Sequence, residues 1–272
     1  DFTNISVNYD TAWQDNYWNT GDVGKVFKEN VRQALSTSEP GFSFNYMKDD
    51  ETLRNACTEV TSADPDDVCN LGSVNMSRID TVTEFADVVF LATKFLLCGT
   101  IRGKVPYEAI ERTREKNRRL GLGLMGLHEW LIQRGERYEV TDELHKWLHV
   151  YKTVSDTTSR SFADQCSVSR PVANRAIAPT GSIGILAGTS TGVEPIFAVA
   201  YKRRYLRGGD RWHYQYVVDS AAQELIDRYG ADPEKIESAL DLAADPERRI
   251  KFQADVQDYV DMSISSIINL PA

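Results

Sequence analysis

Short apolar segments that suit buried β-strands alternate with amphipathic segments that suit helices along most of this chain of 272 residues. This alternation predicts an α/β fold with a mainly parallel sheet or barrel, because parallel strands need a crossover connection that is usually a helix. At this length the chain can bury a full core as one large α/β domain or as two small ones. The predicted strands cover 41–45, 68–79, 119–123 and 175–178, and the predicted helices cover 21–38, 83–98, 106–116, 124–134, 141–166, 216–229, 233–243 and 246–266.

The composition and charge of the chain exclude several classes of function. The balance of 31 basic and 40 acidic residues gives a net charge of −9, which argues against a general binder of nucleic acid or of anionic membranes. The longest apolar run, 85–98, is interrupted by Asp87 and Lys94 and is shorter than the roughly 18–20 residues that span a bilayer. Four cysteines without a C-x-x-C pair indicate a reducing, cytoplasmic setting.

The N-x-C-x-E motif at Asn55, Cys57 and Glu59 carries the most specific chemistry. In an extended segment these alternate side chains would share one face, spaced by about 6–7 Å. An amide, a thiol and a carboxylate arranged in this way suit a polyol substrate held over a sulfur, with an acid/base group on one side. The alternative is that Cys57 is a small buried hydrophobic side chain.

Cys69 follows the motif after a turn signal, Asp64-Pro65-Asp66-Asp67, and a turn there would bring Cys69 back toward Cys57. We expect both sulfurs to face one cavity that Glu59 lines. Cys98 and Cys166 end predicted helices, and core packing is the expected role of each.

A second candidate site lies at Pro179, Thr180, Gly181, Ser182 and Ile183, between a predicted strand and a predicted short helix. Free backbone N–H groups at the start of a helix, together with two hydroxyls, form a cradle for an anion such as phosphate. No Lys follows Gly181, so the segment is not the phosphate loop of nucleoside triphosphatases. The alternative is ordinary N-capping by Thr180 or Ser182.

The run Gly121–Gly126 satisfies the G-x-G-x-x-G pattern between a predicted strand and a predicted helix. This is the pattern of dinucleotide sites, and it supports the alternative of a nucleotide-dependent oxidoreductase. The acidic residue expected at the end of a second strand is missing, since Asp142 and Glu143 fall in the first turn of a predicted helix. Close packing of strand and helix is the competing explanation of these glycines.

Two further patterns are better explained by ordinary structure than by ligand binding. His145 and His149 are spaced as a metal pair on one helix face, but no third ligand stands nearby in the sequence. The stretch 201–214 interleaves basic and aromatic residues, which can bind single-stranded nucleic acid. In an acidic chain, a solvated hairpin or a contact with another domain is the preferred interpretation, so we expect neither a metal nor a nucleic-acid partner.

Six strings taken together resemble the catalytic subunit of ribonucleotide reductase, and they occur in the order of that family. They are Asn55-Ala-Cys-Thr-Glu59, Cys69-Asn-Leu-Gly-Ser-Val-Asn75, Asn117-Arg-Arg-Leu-Gly-Leu-Gly-Leu-Met-Gly126, Ala178-Pro-Thr-Gly-Ser-Ile183, Gly188-Thr-Ser-Thr-Gly-Val-Glu-Pro195 and Ile268-Asn-Leu-Pro271. Each string is weak by itself, but six in order form a specific signal.

The resemblance implies a partial ten-stranded α/β barrel with a central finger loop. Cys57, at the loop tip, would form a thiyl radical and take the 3′ hydrogen of a ribonucleotide. Glu59 would accept the 3′-hydroxyl proton, and Asn55 would hydrogen-bond the sugar hydroxyls. Cys69 would be one of two reducing thiols that end as a disulfide.

The same resemblance implies the groups that hold the substrate. Ala56 and Thr58 would contact it within the loop, and residues 179–183 would bind its phosphates. The substrate would be a ribonucleoside di- or triphosphate, and a thioredoxin-like protein would restore the thiols. The short interval between Cys57 and Cys69 is most like the adenosylcobalamin-dependent class II enzymes, with a radical from a diiron partner subunit as the alternative.

The chain also departs from the family. No cysteine precedes Cys57, whereas the family's other reducing cysteine lies upstream of the loop. Residues 1–272 are therefore expected to be the C-terminal portion of the catalytic barrel domain, incomplete at both ends, with Asp1 a boundary of cloning or processing. We expect no turnover by the isolated chain, and a non-catalytic reductase remnant is the remaining alternative.

Overall fold

The computed structural model describes residues 5–46, 50–209 and 211–270. Within these ranges the chain has a mixed α/β structure. The strands are β1 Ser6–Tyr9, β2 Gly41–Phe44, β3 Leu53–Arg54, β4 Thr61–Ser62, β5 Asn70–Asn75, β6 Leu120–Met125, β7 Ala200–Arg207 and β8 Arg211–Val218. The α-helices are α1 Thr11–Thr20, α2 Gly24–Thr37, α3 Val82–Arg102, α4 Glu108–Asn117, α5 Leu127–Gln133, α6 Asp142–Gln165, α7 Gly181–Ala187, α8 Ser220–Tyr229, α9 Ala239–Leu242 and α10 Pro246–Gln257.

Parallel pairing dominates the interior of the molecule. Strands β1 and β2 are parallel, and β5 pairs with β6 in parallel from Asn70 opposite Leu120 to Asn75 opposite Met125. Parallel bridges then join Leu122 to Arg175 and Ile177 to Ile264. Four neighbouring parallel segments thus confirm the predicted α/β class, although the described residues do not close into a barrel.

Helices α3 and α6 cover this parallel layer because their apolar faces pack in one core with the apolar side chains of the strands. Their N-termini are capped by Thr81 and Thr141, whose side chains accept hydrogen bonds from the backbone N–H of Glu84 and Leu144. The aromatic ring of Trp147 on α6 lies 5.0 Å from Phe85 and 5.0 Å from Trp130, measured between centroids. Complete burial of each such side chain contributes about 1.5–3 kcal/mol. None of the described helices combines the length and apolar character needed to cross a membrane.

A buried arginine fixes the segment that follows α6. Arg175 is fully buried, and its guanidinium donates to Asp156 and Asp261 at 2.6 Å each. It also donates to the carbonyl of Tyr259 at 2.8 Å. A buried cation is tolerated only when it is paired and hydrogen-bonded, so these contacts hold residues 259–264 beside residues 175–177.

The structure corrects several predicted elements. The helix predicted over 233–243 is instead a 3₁₀ turn at Pro233–Lys235 followed by the separate α9. The helix predicted over 246–266 ends at Gln257, because residues 262–265 are extended and hydrogen-bond to Arg175 and Ile177. The strand predicted over 175–178 is present only as isolated bridges. The helix predicted from residue 216 begins at Ser220, since 216–218 belong to β8. Long-range pairing overrides helical periodicity at 262–265 and at 216–218.

The glycines of β6 are required by close backbone packing. A Cβ atom added at Gly123 would lie 2.7 Å from the carbonyl oxygen of Ala176, and one at Gly121 would lie 2.9 Å from the sulfur of Cys69. Both distances are shorter than van der Waals contact. Close packing therefore accounts for Gly121 and Gly123, but the crowding atoms belong to neighbouring extended segments and not to a helix, so the predicted packing of strand against helix is wrong in its partner.

We predict that Gly123→Ala destabilises the protein by about 1–3 kcal/mol, because the clash is with backbone that cannot move independently. Gly181→Ala is the matched control, since no atom lies within 4 Å of a Cβ there. The free energies of unfolding, measured by denaturant titration, should separate the two variants. Equal stability would contradict the packing argument.

Candidate active site

Residues 55–60 form the loop of a short hairpin and are not extended. Strands β3 and β4 pair antiparallel, with Arg54 opposite Thr61. The backbone N–H of Thr58 donates to the carbonyl of Asn55 at 3.0 Å, and Thr58 has a left-handed φ of 66°. The predicted alternation of side chains on one face is therefore wrong, because the chain turns within the motif.

The side chain of Asn55 closes this loop. Its Oδ1 accepts a hydrogen bond from the backbone N–H of Val60 at 3.1 Å. The side-chain carbonyl of Asn55 thus acts on the protein backbone and fixes the residues on both sides of Cys57. This is the local reason that the Cys57 side chain lies at the tip, where it is exposed.

Glu59 points into the protein. It is 1% exposed, and its Oε2 has no hydrogen-bond partner within the part of the chain that the structure describes. The carbonyl of Glu59 accepts a hydrogen bond from the backbone N–H of Ser263 at 2.9 Å. A buried carboxylate with one unsatisfied oxygen is costly for folding, so its position calls for a functional explanation.

The two thiols near this carboxylate are held in their protonated form. Burial raises the pKa of Cys57, and the Glu59 charge raises it further. Burial also raises the pKa of Cys69 to about 12, with smaller contributions from Asp67 and Glu59, while the charge of Arg119 opposes the increase. Val60, which follows Glu59 in the loop, packs in the same cluster as Cys69, so the loop and the second thiol lie in one neighbourhood.

Cys69 lies directly before β5, in a small cluster with Val60, Ala176 and Met262. A buried ion pair lies beside it, in which Nε of Arg119 donates to Asp67 at 2.9 Å. The parallel register that pairs Asn70 with Leu120 places Cys69 beside Arg119. Cys69 is therefore an ordered thiol between apolar side chains and a buried cation.

Residues 179–183 lead into α7 and form its first turn, which begins at Gly181. Thr180 has a left-handed φ of 50°, and its hydroxyl accepts a hydrogen bond from the backbone N–H of Gly192 at 2.7 Å. Thr180 therefore makes no side-chain cap for the helix. The exposed residues Gly181, Ser182 and Ile183 precede Gly184, the first residue whose N–H bonds back to Thr180, as the first turn of a helix requires.

The extended segment 262–265 connects the two candidate regions. Ser263 bonds through its N–H to Glu59 and through its carbonyl to the N–H of Ile177 at 3.1 Å, and Ser265 donates to the Ile177 carbonyl at 2.9 Å. Ile177 stands two residues before Pro179. Segments far apart in sequence thus meet around Glu59, Cys69 and Ile177.

A cavity of about 200 Å³ lies beside the loop. Its walls are formed by Ser6, Asn8, Thr52, Arg54, Asn55, Ala56 and Thr58. It contains three of the predicted site residues, but Cys57, Cys69, Glu59 and 179–183 are not among its lining residues. This cavity is therefore not the single hollow that we expected both sulfurs to share.

The structure also shows where the other candidate residues lie. Cys98 and Cys166 are exposed, so the prediction of core packing is wrong for both. His145 lies 3.0 Å from the hydroxyl of Tyr259, and the described residues contain no group of three potential metal ligands. The basic and aromatic stretch forms the hairpin of β7 and β8, in which Arg204 lies over Trp212.

Three site residues were missed by sequence reasoning. Arg54 donates to the carbonyl of Thr58 at 3.1 Å and to the hydroxyl of Ser263 at 2.9 Å. Arg119 forms the buried ion pair with Asp67 that lies beside Cys69. Arg54 could have been predicted from its position directly before the N-x-C-x-E motif, whereas no local pattern in the sequence indicates Ser263.

Comparison with known proteins identifies the family. The model of the family described as "Ribonucleotide reductase, barrel domain" matches residues 10–167 and 169–272. The chain belongs to the ribonucleotide reductase barrel-domain family. The match covers the loop, Cys69 and residues 179–183.

Similar curated proteins carry B12-dependent names. A vitamin B12-dependent ribonucleoside-diphosphate reductase of Mycobacterium tuberculosis (strain CDC 1551 / Oshkosh) is 28% identical, over 93% of this chain and 41% of that protein. The corresponding protein of Thermoplasma acidophilum is 27% identical, over 94% and 38%. A putative adenosylcobalamin-dependent ribonucleoside-triphosphate reductase of Mycobacterium phage D29 is 25% identical, over 98% and 46%. The chain thus spans less than half the length of these relatives.

Solved structures show the same fold. The crystal structure of a B-12 dependent (class II) ribonucleotide reductase matches with a TM-score of 0.74 at 17% identity, covering 97% of this chain and 42% of that one. The alpha subunit of the class Id ribonucleotide reductase of Actinobacillus ureae matches with a TM-score of 0.70 at 18% identity, covering 96% and 58%.

We predict that Cys69 reacts slowly with iodoacetamide at neutral pH, because only the thiolate is nucleophilic and its pKa is about 12. In a Cys57→Ser, Cys98→Ser, Cys166→Ser background, the rate should rise about tenfold per pH unit without a plateau below pH ~10. A variant that retains only Cys98, whose side chain is exposed, is the control. A plateau for Cys69 near pH ~8.5, the ordinary thiol value, would contradict the buried environment.

Proposed function

We propose that this chain supplies part of the active site of an enzyme that reduces ribonucleotides to deoxyribonucleotides through a thiyl radical on Cys57. The observation that carries the proposal is that the loop with Cys57 and the segment with Cys69 meet: Glu59 is buried, and the next residue, Val60, packs in one cluster with Cys69. A radical thiol, a base and a reducing thiol are the groups that this chemistry needs in one neighbourhood. Membership of the ribonucleotide reductase family supports the same assignment.

The proposed reaction balances over these groups. The Cys57 thiyl radical takes the 3′ hydrogen atom, which leaves a radical on the 3′ carbon and a thiol on Cys57. Glu59 takes the 3′-hydroxyl proton, and the 2′-hydroxyl leaves as water after taking a proton from one of the two reducing thiols. In total, Cys69 and a second thiol supply two electrons and two protons and form a disulfide. One proton leaves in the water and the other is added at the 2′ carbon, while Glu59 returns its proton to the 3′ oxygen and Cys57 returns the hydrogen atom to the 3′ carbon.

The environment of Glu59 suits a general base. Its Oε2 lacks a hydrogen-bond partner among the described residues, so this oxygen retains a lone pair for a substrate hydroxyl. The bond from Ser263 to the Glu59 carbonyl holds the backbone in place. A base must lie within hydrogen-bond reach of the proton it removes, and a fixed backbone serves that requirement.

The remaining assigned residues would hold the substrate. Asn55, Ala56 and Thr58 border the cavity beside the loop and would contact the sugar side of the nucleotide. The exposed first turn of α7, at 181–183, would bind the phosphates through backbone N–H groups, with Pro179 and Thr180 shaping the approach. An anion at a helix N-terminus is favoured both by these N–H groups and by the helix dipole.

Adenosylcobalamin is the proposed radical source, because the named relatives depend on it. The described residues do not enclose this cofactor: the cavity of about 200 Å³ is smaller than the ~300–1,000 Å³ that holds a drug-sized ligand, and a corrin is larger still. The exposed Cys57 thiol could face a cofactor held by another part of the protein. A diiron partner subunit is the alternative source of the radical.

We further propose that residues 1–272 are the C-terminal portion of a catalytic barrel domain of ten strands in which residues 55–59 form the central finger. The chain spans less than half of its relatives, and the second reducing thiol would come from the remaining part. The isolated chain would then be inactive, and a thioredoxin-like protein would reduce the disulfide. Four unpaired cysteines fit a reducing, cytoplasmic compartment.

We predict that Cys57→Ser abolishes deoxyribonucleotide formation by the complete enzyme while leaving its stability almost unchanged, because an exposed side chain of similar size is replaced. Cys98→Ser is the matched control and should retain full turnover. Product formation and thermal unfolding are the two measurements. Retained activity in Cys57→Ser would remove Cys57 from its proposed role.

We predict that Ser182→Pro raises the KM for the nucleotide by about tenfold, because it removes one backbone N–H of the phosphate cradle. Proline is tolerated in the first turn of a helix, so α7 should persist. Ser182→Ala retains the N–H and should change KM much less. An equal effect of both variants would assign binding to the hydroxyl, and no effect of either would place the phosphates elsewhere.

A further inference from the structure

The two halves of the loop that carries Cys57 are packed differently. A cavity of about 200 Å³ lies against Asn55, Ala56 and Thr58, and Cys57 itself is exposed, whereas Glu59 is buried and Val60 packs in the cluster of Cys69. Protein interiors are normally close-packed, and this packing is what fixes side chains and backbone. The geometry of residues 55–58 therefore depends more on hydrogen bonds than on packing.

The guanidinium of Arg54 makes the longest-range of these bonds. Its Nη1 donates to the carbonyl of Thr58 at 3.1 Å and to the hydroxyl of Ser263 at 2.9 Å, and its Nη2 donates to Oδ1 of Asn45. The three acceptors belong to the loop, to the extended segment 262–265 and to the end of β2. A planar guanidinium presents donors on separate nitrogens in one fixed geometry, whereas an ammonium carries its three donors on a single nitrogen at the end of a flexible side chain.

The Thr58 carbonyl is the point at which the loop needs support. Thr58 has a φ of 66°, a left-handed conformation that is unfavourable for a β-branched residue. Such a conformation persists only when several surrounding contacts determine it. Arg54 binds the carbonyl of this residue, and Ser263 binds the next carbonyl, that of Glu59.

Arg54 is a half-buried cation. Its Nε is buried without a hydrogen-bond partner among the described residues, as are the Nε atoms of four other arginines. Burial lowers the pKa of Arg54, and the Glu51 charge opposes this change. What distinguishes Arg54 is therefore the set of three acceptors that its Nη atoms reach.

We propose that Arg54 is a positioning residue that holds the Asn55–Glu59 loop in the conformation from which Cys57 reaches the substrate. This inference rests on the proposed function in so far as it concerns turnover. Arg54 itself touches no reacting atom. It acts through the Thr58 carbonyl and through Ser263.

The first test is hydrogen exchange in the complete protein. The amides of Thr58 and Val60 report the turn, because they donate to the carbonyl and to the side chain of Asn55. Arg54→Lys retains the positive charge but loses the planar arrangement of donors. It should accelerate hydrogen exchange of these two amides by about tenfold or more. Amides of β5 and β6 should not change, which separates local loosening from general destabilisation.

The second test is steady-state kinetics on the same variants. Arg54→Lys should lower kcat by about 10- to 100-fold, since a displacement near 1 Å costs that much, and should raise the KM for the nucleotide by a smaller factor, because the phosphates would be held at 181–183 and not by the loop. Ser263→Ala removes one acceptor of Arg54 but keeps the N–H that binds Glu59, so its effect should be smaller. Arg32→Lys, in an exposed ion pair with Glu29, is the control and should change nothing.

The outcomes distinguish this inference from the proposed function. Unchanged exchange and unchanged kcat in Arg54→Lys would overturn the positioning role, even if Cys57→Ser abolishes turnover. Faster exchange together with full turnover would also overturn it, because the loop would then be free without consequence. If Cys57→Ser remains active, the proposed function fails, while the exchange result still decides whether Arg54 holds the loop. Should Arg54→Lys not fold, Ser263→Ala provides the same pair of measurements.

Discussion

The backbone of residues 262–265 holds the candidate site together. Ser263 donates to the carbonyl of Glu59 and accepts from the N–H of Ile177. The loop with Cys57 is also attached through a hairpin of two residues per strand, which is marginally stable in isolation, and through the packing of Val60 in the cluster of Cys69. The extended segment adds the hydrogen bonds that join the loop to the residues leading into 179–183.

Buried charges determine where that segment lies. Arg175 binds Asp156 on α6, and it also binds Asp261 and the Tyr259 carbonyl. These contacts hold residues 259–261 close to α6. Taking such charges out of water is expensive, and the pairing specifies a register more than it adds stability. Arg119 and Asp67 form a similar buried pair beside Cys69. The chemistry of the site is therefore supported by polar contacts as well as by the apolar core.

The local features of the sequence predicted much of the fold. Apolar periodicity and the N-cap at Thr141 located α6, and the apolar run before Gly126 located β6. Prediction was wrong where a local pattern met a long-range partner. Residues 262–265 continue a helical pattern but pair with 175–177, and the helix ends that carry Cys98 and Cys166 face outward rather than into the core.

The sequence by itself determined which chemical groups are present and in what order: an amide, a thiol and a carboxylate at 55–59, a second thiol at Cys69, and a glycine-containing turn at 179–183. It also determined the glycines of β6, because local pattern and close packing agree there. Only the tertiary structure decided that the motif turns within itself, that Glu59 is buried near both thiols, and that Arg54 and Ser263 support the loop. Contacts between residues about two hundred positions apart depend on how whole segments pack, and no local pattern encodes them.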